Sequence, residues 1–385
     1  MTRRQAALIG LGVFSFLLIL LAVVAAFVYV GFLRAFREIP TEDVASIADR
    51  AREVPAALKE PRVVKGPGAL TKSLWSEAPD VGMVTDIAWG QFDGKPGEEF
   101  VVVGTQGATF VTERGEEKAT VTFDWRAIGQ YFGQHVVVVD MEGDGKCEFF
   151  DRAGAWVPPV VLLSHAGKPL WQYTDEWGVD NAVAGDVNGD GKVEIAVGLN
   201  GGGGVRLLDA DGKPLWRQPD GNVWHVEMLD LDGDGKDEIV HSNVGGQITA
   251  RDAQGEVLWR REPAVRVADF CLTHWAGLVP AAVVVEEGGY LSVLDLQGEE
   301  QASARLPLGE VQAAGWVEAA PVAQAEQNYL AVMLGYSVPE RALFFLFDQK
   351  FGLLYHEVLG ANGEALFAGG PLSGKGKVLV GEEGR

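Results

Sequence analysis

Short apolar stretches separated by glycine-containing turns dominate the chain from residue 61 onward. Residues 223–261 show the pattern best, because the segments VWHVEML, EIVHSNV, GQITARD and EVLWRRE each have the length of one strand. Gly245–Gly246 and Gln254–Gly255 fall between segments, where a hairpin needs turn residues. No long helical period intervenes, which argues against a parallel α/β sheet. The pattern predicts an antiparallel unit of four strands.

This four-stranded pattern recurs along the chain. A tryptophan in the last strand of a unit marks the repeat, and the segments SARLPL and LLYHEV continue it in the same phase. A period of about 45 residues is the spacing of a four-stranded propeller blade. We therefore predict an all-β fold, a seven-bladed β-propeller of four-stranded blades over residues 61–385. The marker tryptophans are Trp75, Trp125, Trp171, Trp216 and Trp259.

The two ends of this region are predicted to close the ring together. The last unit holds two strand-like segments, EALFAGG and KGKVLVGEE, and lacks two more. PRVVKG and LTKSLWSE, which precede the first complete unit, have the character of the missing third and fourth strands. We expect the N- and C-terminal strands to share one blade, since closure leaves few exposed strand edges.

Three acidic loops recur in register inside the predicted propeller. They are DMEGDGKCEFF from Asp140, DVNGDGKVEIA from Asp186 and DLDGDGKDEIV from Asp230. Side-chain oxygens stand at positions 1, 3, 5 and 9 of each loop, and the lysine at position 7 offers its backbone carbonyl. The candidate metal ligands are Asp140, Glu142, Asp144, Lys146, Glu148, Asp186, Asn188, Asp190, Lys192, Glu194, Asp230, Asp232, Asp234, Lys236 and Glu238.

Oxygen ligands of this kind suit a hard cation, chiefly Ca²⁺. Glycines at positions 4 and 6 let the backbone wind closely, and clustered carboxylates without a cation repel one another. A polar hairpin turn is the alternative for any one loop, because Asp, Asn and Gly are common in turns. Three copies in register favour about three structural calcium sites. A related loop, QFDGKPGEEF, carries Lys95 at position 5 and is interpreted as a lapsed site.

The N-terminal residues have a different character. Ala6 to Leu33 contains no charged residue and is long enough to cross a bilayer as a helix. A cleaved signal peptide is the alternative, but its apolar region is usually shorter. We predict a cytoplasmic tip and transmembrane signal anchor over residues 1–34 and a helical juxtamembrane stalk over residues 35–60. The chain is then a single-pass protein of the cell membrane, with the N-terminus cytoplasmic and the propeller extracytoplasmic.

Composition and charge exclude several classes of function. The formal net charge of −22 argues against nucleic-acid binding, which needs a basic footprint. The two cysteines, Cys147 and Cys271, are too few for a disulfide framework, and the six histidines form no metal-binding motif. No constellation of acid, base and nucleophile is visible. We therefore predict neither catalytic residues nor an organic cofactor, and we expect a protein that is not an enzyme.

The acidic repeats resemble the FG-GAP/VCBS-type repeats of integrin α-chain propellers and of many bacterial surface proteins. NAVAGDVNGDGKVEIAVG carries the resemblance most clearly. The resemblance implies calcium held in loops between the first and second strands of a blade. It also implies that ligands bind the opposite face. Because this kind of propeller serves many functions, the resemblance constrains the fold more than the role.

Two classes of function remain at this point. The first is a membrane-anchored, calcium-binding propeller that acts as an adhesion or scaffolding module for a protein or glycan partner. The alternative is a propeller carbohydrate-active enzyme, a lyase or hydrolase, which would need convergent acidic and basic groups on one face. A quinone-cofactor protein is a weaker third possibility, based only on tryptophans that are also expected to pack blades together.

Overall fold

A computed structural model describes residues 62–63, 81–82, 84–89, 99–112, 116–124, 136–141, 143–151, 159–262, 267–275, 279–286, 290–306, 315–324, 327–337, 340–358, 363–368 and 378–382. The chain divides into two compact units, Met1–Glu53 and Val54–Arg385, and every described strand belongs to the second. The predicted membrane anchor and stalk, residues 1–60, lie outside the described residues. Within those ranges, no helix has the length and apolar character needed to cross a membrane.

The described part of the second unit consists of antiparallel strands. In chain order they are β1 (Arg62–Val63), β2 (Val84–Trp89), β3 (Glu99–Gly104), β4 (Gly107–Thr112), β5 (Glu117–Thr122), β6 (Val136–Val139), β7 (Glu148–Asp151), β8 (Val160–Leu163), β9 (Pro169–Tyr173), β10 (Val179–Gly185), β11 (Glu194–Leu199), β12 (Gly204–Leu208), β13 (Pro214–Gln218), β14 (Val223–Leu229), β15 (Glu238–Asn243), β16 (Ile248–Arg251), β17 (Val257–Arg261), β18 (Val267–Trp275), β19 (Val279–Glu286), β20 (Tyr290–Leu294), β21 (Glu300–Arg305), β22 (Gly315–Gln324), β23 (Gln327–Ser337), β24 (Glu340–Phe347), β25 (Leu353–Val358), β26 (Gly363–Ala368) and β27 (Val378–Glu382).

Consecutive strands form the blades of a β-propeller. Blades one to six are β2–β5, β6–β9, β10–β13, β14–β17, β18–β21 and β22–β25, each a sheet in simple chain order. First strands of neighbouring blades contact one another, as β10 does β14 and β14 does β18, so the first strands lie innermost. The second and third strands are apolar and buried on both faces, for example all of β11. The fourth strands form the partly exposed outer edges.

Tryptophans of the fourth strands join blades to their neighbours. Trp171 Nε1 donates a hydrogen bond of 2.9 Å to the carbonyl of Ala210, and Trp216 Nε1 donates one of 2.8 Å to the carbonyl of Ala253. Each acceptor lies in the turn between the third and fourth strands of the next blade. The interpretation of the repeated tryptophan as blade packing agrees with these contacts, and a quinone site is not needed to explain it.

Polar side chains on the innermost strands also connect blades. In three places an oxygen on a first strand accepts a hydrogen bond from a backbone N–H of the next first strand, which satisfies groups that no sheet ladder reaches. The donor–acceptor pairs are Val138 N to Asp86 Oδ2 (3.0 Å), Val226 N to Asn181 Oδ1 (3.3 Å) and Val317 N to Asp269 Oδ2 (2.8 Å).

The prediction of seven four-stranded blades is wrong: the described residues form six. The predicted sharing of one blade by the chain ends stays a prediction, because the segment LTKSLWSE lies outside the described residues. β1 pairs antiparallel with β25, with Arg62 opposite His356 and Val63 opposite Tyr355, and extends the sixth blade to five strands. The edge of β25 offers unpaired backbone groups to a nearby strand, which is the physical basis of this pairing. β26 and β27 form a separate two-stranded sheet that contacts β22 and β2.

Candidate metal centre

The three acidic loops occupy equivalent places in blades two, three and four. Residues 140–147, 186–193 and 230–237 each connect the first strand of a blade to its second strand. Neighbouring blades run in the same sense, so the three loops lie at the same end of the propeller. The lapsed loop around Lys95 lies outside the described residues.

The first aspartate of each loop organises the turn. Asp230 Oδ1 accepts a hydrogen bond of 2.6 Å from Gly233 N, and its Oδ2 accepts one of 3.0 Å from Gly235 N. Gly233 and Gly235 have φ of 81° and 84°, a conformation that L side chains rarely adopt, which explains the glycines at positions 4 and 6. The corresponding bonds of the other loops are Gly145 N to Asp140 Oδ2 (2.9 Å) and Gly191 N to Asp186 Oδ2 (2.8 Å).

The glutamate at position 9 is buried beneath each loop. Glu148, Glu194 and Glu238 are 7%, 5% and 7% exposed. Each Oε2 accepts a hydrogen bond from the backbone N–H at position 2, which leaves the other oxygen directed elsewhere. These bonds are Met141 N to Glu148 (3.1 Å), Val187 N to Glu194 (3.2 Å) and Leu231 N to Glu238 (2.8 Å).

Burial and neighbouring negative charge shift the acidity of these glutamates. Burial raises the pKa of Glu238 to about 7, and the charges of Asp232 and Asp230 add to the shift. Burial likewise raises the pKa of Glu194 to about 7, with Asp190 and Asp186 contributing. The loops therefore hold carboxylates where the charged form lacks a compensating positive group.

The loop of blade four brings its acids together most closely. One carboxylate oxygen from each of Asp230, Asp232 and Glu238 lies within 4.8 Å of the other two. These donors are all oxygens, which is the ligand chemistry that Ca²⁺ prefers. The arrangement fits a hard cation at positions 1, 3 and 9, three of the five ligands expected for this loop.

In two of the loops the aspartate at position 5, a predicted metal ligand, forms an ion pair with the lysine at position 7. Lys236 Nζ lies 2.6 Å from Asp234 Oδ2, and Lys146 Nζ lies 2.8 Å from Asp144 Oδ2. The hydrogen bond to the lysine lowers the pKa of each of these aspartates. In both loops the lysine side chain thus pairs with a predicted ligand, so these two aspartates are turned toward an ammonium group.

In the loop of blade three an amide replaces one carboxylate. Asn188 Nδ2 donates a hydrogen bond of 2.8 Å to Glu194 Oε1, and Asn188 Oδ1 accepts one of 2.9 Å from Asp190 N. Asp190 Oδ1 accepts from Lys192 N at 2.9 Å. Positions 3 and 9 therefore meet here as they do in blade four. In blade two, Glu142 at position 3 lies outside the described residues.

A residue that the sequence analysis missed links two of the loops. Asp237, at position 8 in blade four, accepts a hydrogen bond of 2.9 Å from Asp186 N through Oδ2. Its own N–H donates one of 2.8 Å to the carbonyl of Asp186. Burial raises the pKa of Asp237, and the charges of Asp186 and Asp230 oppose its ionisation further. The sequence offers one signal for this role: position 8 is acidic in blade four, whereas the other two loops carry Cys147 and Val193 there.

A second polar cluster on the innermost strands was also missed. His225 of β14 hydrogen-bonds to Asp269 of β18 through Nδ1 and to Glu227 through Nε2, the latter at 2.8 Å. Its ring packs beside Phe270, with centroids 4.9 Å apart. Both ring nitrogens are engaged by carboxylates within the propeller, which marks the cluster as an inter-blade connection. Histidine and acids alternating with apolar residues in VWHVEML were the available signal.

Comparison with known proteins finds a recognised repeat that covers two of the three acidic loops. Residues 186–241 match the family model described as an FG-GAP-like repeat, and this range contains the loops of blades three and four. No curated protein sequence matches the chain.

Solved structures show a similar fold. Two crystal structures of BBS1N in complex with ARL6DN, one soaked with lead and one with mercury, give TM-scores of 0.52 and 0.53. Each is 12% identical in sequence, and the matches cover 76% and 78% of this chain and 86% and 88% of the other. At this identity the likeness concerns the fold alone.

Proposed function

We propose that this chain, which is an FG-GAP repeat β-propeller, serves as a membrane-anchored extracytoplasmic binding or scaffolding module whose acidic loops hold calcium. The calcium ions act structurally, by neutralising loops whose carboxylates otherwise repel one another. The propeller binds a protein or glycan partner on the end of the blades away from those loops.

One observation carries the calcium part of the proposal. The carboxylates of Asp230, Asp232 and Glu238 converge to within 4.8 Å in a loop whose turn occurs three times. A loop that served only as a turn needs its first aspartate, which bonds the backbone. It does not need a buried glutamate at position 9 whose pKa burial raises to about 7. A bound cation supplies the positive charge that such a glutamate lacks.

Membrane attachment rests on the sequence. Ala6 to Leu33 is uncharged and exceeds the length that a helix needs to cross the hydrocarbon core. Placing the propeller outside the cytoplasm puts its loops where calcium is abundant, so that even weak sites fill. A protease-protection assay on intact cells tests this orientation, since a cytoplasmic propeller would resist digestion.

Exposed apolar side chains support a partner-binding surface. Trp224 is 42% exposed and Val244 is 47% exposed. Trp224 lies near the start of β14, and Val244 lies in the turn after β15, at the opposite end of blade four from residues 230–237. A large exposed aromatic residue beside an exposed aliphatic one is typical of a contact surface.

Thermal unfolding with and without a chelator tests the calcium proposal. Removal of calcium is expected to lower the Tm, and Asp230→Ala combined with Asp234→Ala should reduce that calcium effect. Asp252→Ala is the matched control, because Asp252 Oδ1 likewise accepts hydrogen bonds from the backbone of its own turn, from Gln254 N and Glu256 N, but lies outside the three acidic loops. If the chelator leaves the Tm of the unchanged chain the same, the proposal of structural calcium is wrong.

A pull-down from native membranes tests the binding proposal. The unchanged chain should recover a partner, and Trp224→Ala should reduce its yield. Leu258→Ala is the control, because Leu258 is 52% exposed but lies on the outer strand of the same blade. Equal loss with both variants would show that the contact is unspecific.

A further inference from the structure

The loops of blades three and four are joined by two backbone-directed hydrogen bonds. Asp237 Oδ2 accepts from Asp186 N at 2.9 Å, and Asp237 N donates to Asp186 O at 2.8 Å. Asp186 is position 1 of the blade-three loop, the residue whose carboxylate organises that turn. One residue of blade four therefore holds both backbone groups of the first predicted ligand of blade three.

We infer that Asp237 is a positioning residue for the cation site of the neighbouring blade, so that the sites of blades three and four are coupled. This inference rests on the proposed calcium binding. Asp237 belongs by sequence to the blade-four loop, between Lys236 and Glu238, yet its side chain serves Asp186.

The surroundings of Asp237 are shaped to keep this contact. Gly185 precedes Asp186, and a Cβ at Gly185 would lie 2.5 Å from Asp237 Oδ2, so the glycine leaves room for the carboxylate. The stem of Lys236 covers the blade-three loop as well, since a Cβ at Gly189 would lie 3.2 Å from Lys236 Cγ. Two adjacent residues of one loop thus rest on the other.

Among the described loops, those of blades two and three are not joined in this way. Position 8 of the blade-three loop is Val193, and position 8 of the blade-two loop is Cys147; neither is a carboxylate. The backbone hydrogen bonds among the described turns and loops include none from Val193 to Asp140. Within the described residues, blades two and three therefore lack the pair of hydrogen bonds that joins blades three and four.

Coupling follows from what each loop must do to bind. A cation in blade four orders residues 230–238 and with them Asp237, which holds the backbone of Asp186 in place. The neighbouring site then loses less conformational freedom when it binds, which is positive cooperativity.

Calorimetric titration of the full chain with Ca²⁺ tests this inference. In a background carrying Asp140→Ala, which leaves the sites of blades three and four, calcium should bind with positive cooperativity. Asp237→Ala should abolish that cooperativity and weaken calcium binding at blade three about fivefold, the value of one hydrogen bond. Asp237→Asn keeps an oxygen acceptor and should restore part of that loss. Asp211→Ala, an exposed acid in blade three, controls for charge alone and should change nothing.

The outcomes distinguish a failure of the coupling from a failure of calcium binding itself. Calcium affinity at blade three that stays within about twofold in Asp237→Ala, while the unchanged chain binds, would overturn the coupling alone. No calcium heat from the unchanged chain would overturn both proposals. If circular dichroism shows that Asp237→Ala does not fold, Asp237→Leu, which also lacks the acceptor oxygen, takes its place. Blade-three affinity within about twofold and unchanged cooperativity would then overturn the coupling, and a loss of both would support it.

Discussion

The indole of Trp216 lies against Gly255 of the next blade. A Cβ at Gly255 would be 3.3 Å from Trp216 Cδ2 and 2.8 Å from Gln218 Nε2. Trp171 packs in the same way against Gly212, and a Cβ there would be 2.8 Å from the ring. Both glycines lie in a turn between the third and fourth strands of a blade and have a positive φ. The absence of a side chain therefore serves both the backbone conformation and the packing of the indole.

Gly255→Ala is expected to destabilise the propeller by about 1–3 kcal/mol, because the added methyl group meets both strain at φ 80° and the side chains of blade three. Gly221→Ala is the matched control, since Gly221 has φ 79° and open space around its Cβ. Urea denaturation compares the two. Equal losses would show that strain alone matters and that the Trp216 contact does not.

The junction between blades five and six reverses the sizes of these partners. Ala302 pairs with Val293, as Trp259 pairs with Ala250 one blade earlier, and Phe351 takes the place of the turn glycine at φ 61°. Both belong to one hydrophobic cluster. At this junction the large side chain is Phe351 in the turn of blade six, and the fourth strand of blade five carries the small Ala302.

Phe351→Ala should cost about 3–4 kcal/mol, because it removes a phenyl ring that is 8% exposed and stacks on Phe347 with centroids 4.9 Å apart. Phe351→Gly should cost about 1 kcal/mol less than Phe351→Ala, since glycine tolerates the positive φ. Chemical denaturation of both variants gives the order. Alanine more stable than glycine here would mean that the backbone is not strained.

Stability should depend on pH through His225. Burial alone would lower its pKa, but the charges and hydrogen bonds of Asp269 and Glu227 outweigh burial and raise the pKa to about 10. The contribution is complete below the unfolded value of about 6.5 and is lost as the pH rises toward 10. Urea unfolding between pH 6 and pH 10 should show this decline in the unchanged chain and a flatter profile in His225→Gln. Parallel profiles would contradict it.

Lys236→Gln should strengthen calcium binding in blade four about two- to fivefold, because the ammonium no longer competes for Asp234. Lys192→Gln is the control, since the described residues show no ion pair between Lys192 and Asp190. Calcium titration of both variants measures the difference. Weaker binding in Lys236→Gln would mean that the lysine side chain supports the loop.

Much of the blade structure could be predicted from local sequence. The four segments assigned within residues 223–261 correspond to β14–β17, because alternation of apolar side chains and glycine turns act over a few residues. The acidic loops were placed correctly between first and second strands for the same reason. The hydrogen bond that the backbone N–H at position 6 donates to the aspartate at position 1 depends only on residues inside the loop.

The direction of the lysines was harder to predict. Lys146 and Lys236 were expected only to contribute backbone carbonyls, but each ammonium group also pairs with an aspartate of its own loop. Spacing indicates which oxygens can reach a common centre, but rotamers and local charge decide which of them do so.

By itself, the sequence determined the repeating blade, the position of its acidic loops and the packing role of its tryptophans, since each follows from contacts within one period or between adjacent ones. Only the tertiary structure decided that β1 pairs with β25 and that the described residues form six blades. Only it placed Asp237 against Asp186. Those pairings join residues that are distant in the chain. An exposed strand edge or a backbone N–H could pair with several groups, and the fold decides which of them lies near.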